Sequence, residues 1–206
     1  MIEECDGTLV HFQLTRVTAM LHSDRLFAEL HAMGAGEFEH MNGTLAAHLR
    51  DTESLLRAWG AREAVCIAGL CHAVYGTDGY NPALTGLDGR QRIAQLIGAE
   101  AEELVYLYGA CNRRLFYPRI GTDARLIFVD RFSNTEYSIT HRQLSDLCEL
   151  ILANELEIAA GSAEFRAKYG PSLSGLFERM AGIVSETGFA AYRSILSQHR
   201  SMHTLL

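Results

Sequence analysis

His48 and His72, 24 positions apart, are the residues of this sequence best suited to chemistry. An imidazole can carry a proton near neutral pH, accept a hydrogen bond or ligate a metal. In Thr44-Leu-Ala-Ala-His48-Leu-Arg-Asp-Thr52-Glu-Ser-Leu55-Leu56-Arg-Ala-Trp59-Gly60, positions 45, 48, 52, 55, 56 and 59 share one helical stripe, so His48 is expected to face inward. The run Ala64-Val-Cys-Ile-Ala-Gly-Leu-Cys-His72-Ala-Val-Tyr75 is apolar nearly all the way round, and His72 is its only strongly polar member before Tyr75. A buried imidazole needs an acceptor, a water or a metal for its ring nitrogens. Ordinary hydrogen bonds satisfy most such histidines; two inward ones on consecutive helices raise the expectation of a shared site.

Other residues could join them. His40 lies eight residues before His48, in Glu37-Phe-Glu-His40-Met-Asn-Gly43, and could swing back over the His48 end. Three neutral histidines with an open position suit zinc or iron; the plain alternative for His40 is an exposed loop. Asp78, in Tyr75-Gly-Thr-Asp78-Gly-Tyr80, and Tyr75, on the face of Val65, Ala68 and His72, are candidates for handling protons. Their alternatives are a turn aspartate beside glycine and a core tyrosine with a backbone partner. Asn154 shares a helical face with Leu147, Ile151 and Ile158 and should point inward. Arg113, in Asn112-Arg113-Arg114, and Arg131, beside Phe132, could hold an anionic substrate, although Arg113 is also placed to complement a helix dipole. No Gly-rich phosphate loop, nucleophile elbow, His-Glu-x-x-His or paired zinc-knuckle spacing occurs.

The elements that must position these residues are mostly helical. Only three prolines interrupt the chain, and glycines fall where helices should stop. The periodicity predicts helices at 13–33, 44–59, 62–75, 88–97, 100–114, 141–160, 163–169, 173–187 and 189–200. Between Arg125 and Thr140, two stretches rich in β-branched and aromatic residues flank Ser133-Asn134, the signature of a hairpin. Thr140-His-Arg-Gln143 then has the form of a capping box. The expectation is an all-α bundle with a small β-hairpin insertion near 125–140, and, with nothing resembling a linker, a single domain over 1–206.

Over residues 37–160 the chain resembles the HD-domain superfamily, whose pattern is a His, then a His-Asp pair, then a distant Asp. The words that carry the likeness are His48-Leu-Arg-Asp-Thr-Glu-Ser-Leu-Leu and Ala68-Gly-Leu-Cys-His72-Ala-Val-Tyr-Gly76. The stretch Arg92-Ile-Ala-Gln-Leu-Ile-Gly-Ala-Glu-Ala-Glu-Glu-Leu-Val is similar to the segment after the motif in the stringent-response nucleotide hydrolases. Trp59-Gly60 and Ala68 to Thr77 also resemble an uncharacterised HD-like family with a Tyr-Gly-Thr signature. The resemblance implies an HD-like helical bundle and a metal-dependent enzyme of hydrolase type. Its ligands would be His48 and His72, and His40, by its position, could complete a three-histidine set around one divalent ion, zinc, iron or manganese. Two positions depart from the pattern. Ala73 stands where the Asp after the second His would bind metal, and Asn154 stands where the distant carboxylate would be. Losing two anionic ligands weakens a cation site. The competing readings are a metal-free HD-like domain that binds a ligand or a protein, an iron-dependent oxygenase, and a metal-free lyase or isomerase with an imidazole as general base.

Composition narrows the partners. Eighteen basic against 25 acidic residues give a net charge of −7, the wrong sign for holding nucleic acid by its phosphates. No apolar run approaches a membrane span of about 18 residues, and the acidic start Met1-Ile-Glu-Glu-Cys5-Asp is unlike a signal peptide. A cytoplasmic protein with a small-molecule substrate is expected; a homodimer is left open. The five cysteines form no Cys-x-x-Cys pair and read as reduced core thiols.

Overall fold

A computed structural model describes residues 7–41, 43–122, 125 and 127–197. Helix α1, Gly7–Ala32, leads into a minimal hairpin of β1, Glu39–His40, and β2, Gly43–Thr44, which pair antiparallel. Then follow α2, Leu45–Ala58; α3, Glu63–Cys71; α4, Arg90–Ile97; α5, Ala99–Ala110; and the single turn α6, Arg113–Phe116. A second antiparallel hairpin, β3 Ile127–Asp130 with β4 Thr135–Ser138, precedes α7, His141–Gly161, α8, Ala163–Arg179, and α9, Glu186–Ser197. The protein is therefore all-α with small strand pairs. Among the described residues, no helix is long and apolar enough to cross a membrane.

Local chemistry sets the boundaries. The Thr44 hydroxyl accepts the Ala47 N–H at the start of α2, and Thr140 and Gln143 complete the capping box that begins α7. α2 ends in a Schellman turn: Gly60, at φ +75, and Ala61 donate back to the Arg57 and Leu56 carbonyls. Several boundaries differ from the sequence expectation, the start of α1 at Gly7 instead of 13 among them. α3 stops at Cys71, four residues early, because the chain turns through 72–75 into Gly76 at φ +71. α5 stops at Ala110 because Cys111 becomes extended and bridges Asp130 on β3, with Asn112 donating to the Val129 carbonyl. The helices expected at 163–169 and 173–187 are instead a single helix, α8, running through Pro171 to Arg179. Packing of Phe165, Leu173, Leu176 and Phe177 into the core outweighs the bond the proline cannot make.

α7 is the axis of the core. From Leu147 to Ala159 nearly every residue is buried, and the helix packs against α2, α3, α5, α8 and α9. α3 is equally enclosed, and Gly69 brings α2 close: a Cβ there would stand 2.4 Å from Leu56 Cδ1. Cys66, Cys71, Cys111 and Cys148 are all buried and free; burial pushes the first three thiols up to about 12, so none is a nucleophile at neutral pH. Cys5 lies outside the described residues.

Candidate functional site

The expected histidines meet. His48 (3% exposed) projects from α2 and His72 (2% exposed) caps the C-terminus of α3, their ring centroids 5.1 Å apart edge to face. His40, carried by the first hairpin, lies flat on His48 with centroids 4.1 Å apart and planes 16° from parallel. Tyr80 fixes that hairpin, its hydroxyl donating to the Glu39 carbonyl at 2.9 Å and its ring edge against His40. His40 and His72 line a cavity of about 580 Å³, together with Leu45, Thr77, Arg113, Asn154, Glu155, Ile158, Phe165 and Leu173, and His48 touches both of their rings.

The rings differ in what their nitrogens do. His48 Nδ1 bonds the Glu157 carboxylate, and Nε2 lies 3.0 Å from the Asn154 amide oxygen. Two acceptors suit a ring carrying both protons; a neutral ring is satisfied by the same amide turned over. In either state neither nitrogen is free. His72 Nδ1 donates to the Gly69 carbonyl at 2.7 Å, which fixes the tautomer and leaves Nε2 unprotonated, with no hydrogen bond from the described residues, on a ring that lines the cavity. Burial, with His48 close by, pushes His72 well below the ordinary histidine range. Burial and His48 likewise lower His40 to about 4, against a smaller opposing pull from Glu157, and the buried His40 Nδ1 has no partner among the described residues.

Arg113 and Asn154 also reach the cavity. The Arg113 side chain is 21% exposed, with Nη1 3.0 Å from Glu155 and Nη2 donating to the Tyr108 hydroxyl at 2.9 Å. Tyr108 in turn presents its ring to His72 at 5.0 Å. The other candidates are held elsewhere. Tyr75 leaves the helical face of His72 because α3 has already ended, and its hydroxyl donates to Glu102, which Arg90 grips with two nitrogens. Exposed Asp78 accepts the Arg113 backbone N–H at the start of α6. Arg131 donates to the Gly109 carbonyl and lies over Phe132, tying the second hairpin to α5.

The sequence reading missed Glu155, Glu157, Tyr80 and Tyr108. Glu157 was within reach of periodicity, three residues past Asn154 on the same face of α7; the others carried no local signal. As a metal centre the donor set is incomplete. Ala73 offers nothing, both His48 nitrogens are taken, and His40 and His48 stack instead of converging. Among the described residues no group of three His, Cys, Asp or Glu side chains is arranged to hold a metal ion.

Fold and site together define a mostly helical protein with a histidine-lined cavity of small-molecule size. Residues 29–113 match the model of a family described as a domain of unknown function, DUF6817. No curated protein and no solved structure matches the chain. The matched segment holds His40, His48, His72 and Arg113; the α7 residues that complete the site lie beyond it.

Proposed function

We propose that this is an HD-like helical bundle whose cavity carries out proton-transfer chemistry on a small polar molecule without a resident metal, as a lyase or isomerase. The HD-like reading is supported by a His on α2, a His at the end of α3 and an amide on α7 meeting at one point. One observation carries the chemistry. His72 is tied by Nδ1–H to the Gly69 carbonyl, which leaves Nε2 unprotonated on a buried ring that lines the cavity. That nitrogen takes a proton from the bound molecule and returns it to the product. Glu155, held by Arg113, and the Asn154 amide orient the molecule. The Glu157–His48–Asn154 chain fixes the wall behind His40.

A metal-dependent hydrolase is the second reading. The observation in its favour is His40 Nδ1, buried and without a partner among the described residues, which with His72 Nε2 gives two imidazole nitrogens that receive no hydrogen bond from those residues, on rings lining one cavity. Metal analysis of protein purified without a histidine tag separates the two. The expected result is far less than one equivalent of zinc, iron or manganese and a melting temperature unmoved by those ions. A full equivalent of metal, lost in His72→Ala, would overturn the metal-free reading. Once a turnover is in hand, His72→Gln is expected to lower kcat by about 10²–10⁴-fold, the usual contribution of a general base.

A further inference from the structure

The notable property of the cavity is its charge. The ionised side chains lining it, among the described residues, are Glu39, Glu155 and Arg113, and the histidines facing it are held neutral by burial. The charge of the lone guanidinium is paired within the wall: its Nη1 lies 3.0 Å from Glu155, and its Nη2 donates to the Tyr108 hydroxyl. The Arg113–Glu155 pair is neutral as a unit, so with Glu39 the three groups sum to −1, and an anion entering here meets the wrong net sign in surroundings where charge is weakly screened.

Two acceptors, by contrast, await a donor. One is His72 Nε2, on a ring only 2% exposed whose other nitrogen is used by Gly69. The other is the second oxygen of Glu155, itself 7% exposed, which receives no hydrogen bond from the described residues. Leu45, Ile158, Phe165 and Leu173 supply apolar wall around them.

We propose that the cavity selects an organic amine or amidine, its cationic head on Glu155, an N–H on His72 Nε2 and its apolar body against the Phe165 and Leu173 wall. Phosphates and carboxylates are refused. This deepens the reading of the cavity as a small-molecule site and rests on it, while adding a charge preference that reading does not require.

Isothermal titration of the whole chain near neutral pH, with benzamidine, benzoate and inorganic phosphate as probes, tests it. Benzamidine and benzoate share a ring and differ in the sign of the head group. Benzamidine is expected to bind at least about tenfold more tightly than benzoate, a difference of about 1.4 kcal/mol, and phosphate to give no heat. In Glu155→Gln the preference for benzamidine is expected to disappear, whereas Glu39→Gln at the exposed rim reduces it less. Benzoate or phosphate binding as tightly as benzamidine, or no benzamidine binding, overturns the proposal. The wild-type comparison decides this even if Glu155→Gln fails to fold. A preference for benzoate would sink the charge preference and leave the metal-free mechanism standing, whereas a metal held by His72 occupies the nitrogen that both use and is recognised separately by metal analysis.

Discussion

His40 is the residue on which the cavity mouth turns. Its ring lies on His48, its edge faces Tyr80, and the charges within reach are Glu157 and the neighbouring imidazoles. A proton on His40 would put a cation flat against another histidine in a half-buried place, with only Glu157 to offset it. The folded protein therefore protonates His40 near 4, whereas the unfolded chain does so near 6.5. With the folded value depressed, the unfolded state binds more protons between those limits. The stability contributed is complete above about 6.5 and is lost as pH falls toward about 4. His72, lowered in the same direction, extends the loss to lower pH. The melting temperature is expected to drop on acidification from about pH 7 to about 4.5, and to drop less in His40→Gln. Equal drops in the two proteins would show that the stacked ring does not couple to folding. At this scale the inward placement of His48, His72 and Asn154 was legible, because each sits on a regular helical face or at its end. Tyr75, Asp78 and Arg131 were drawn to other partners by tertiary contacts, with Glu102, the α6 start and Gly109, that no spacing announces.

The elements meet through a glycine. α2 and α3 approach closely enough to bring His48 beside His72 because Gly69 presents no side chain to Leu56, which is wholly buried and has nowhere to retreat. The same glycine supplies the carbonyl that fixes the His72 ring. Gly69→Ala would gain up to about 1 kcal/mol of helix propensity and lose about 1–3 kcal/mol to overpacking. The expected balance is a net loss of about 1 kcal/mol or more, read as a lower urea midpoint at unchanged slope. An unchanged midpoint would mean that the two helices can separate freely, and with them the two histidines. Periodicity identified most of the helices here, and the turn residues identified the second hairpin. It could not see that Cys111 would leave α5 to pair with β3, or that Pro171 would be carried inside α8, because both are decided by what the chain packs against.

For the whole molecule, α7 joins the two halves of the site. Its Asn154 and Glu157 satisfy both nitrogens of His48, and its Glu155 balances Arg113. Its apolar faces close the core over α2, α3 and α5. The segment that matches the domain family, residues 29–113, contains α2 through α5 and every histidine of the site, yet none of α7. Taken alone it would leave the buried His48 without its partners and Arg113 without Glu155, and expose the apolar faces that α7 covers. The expected behaviour of a 29–113 fragment is a broad, non-cooperative loss of helix on heating. Trp59, the single tryptophan, should emit as a solvent-exposed residue in the fragment, whereas the full chain buries it beside α9. Circular dichroism and fluorescence melts of the two chains make the comparison. A sharp, coincident transition in the fragment would show that the N-terminal helices form a core without α7. The site would then be assembled by docking two independently stable parts, instead of by the folding of one.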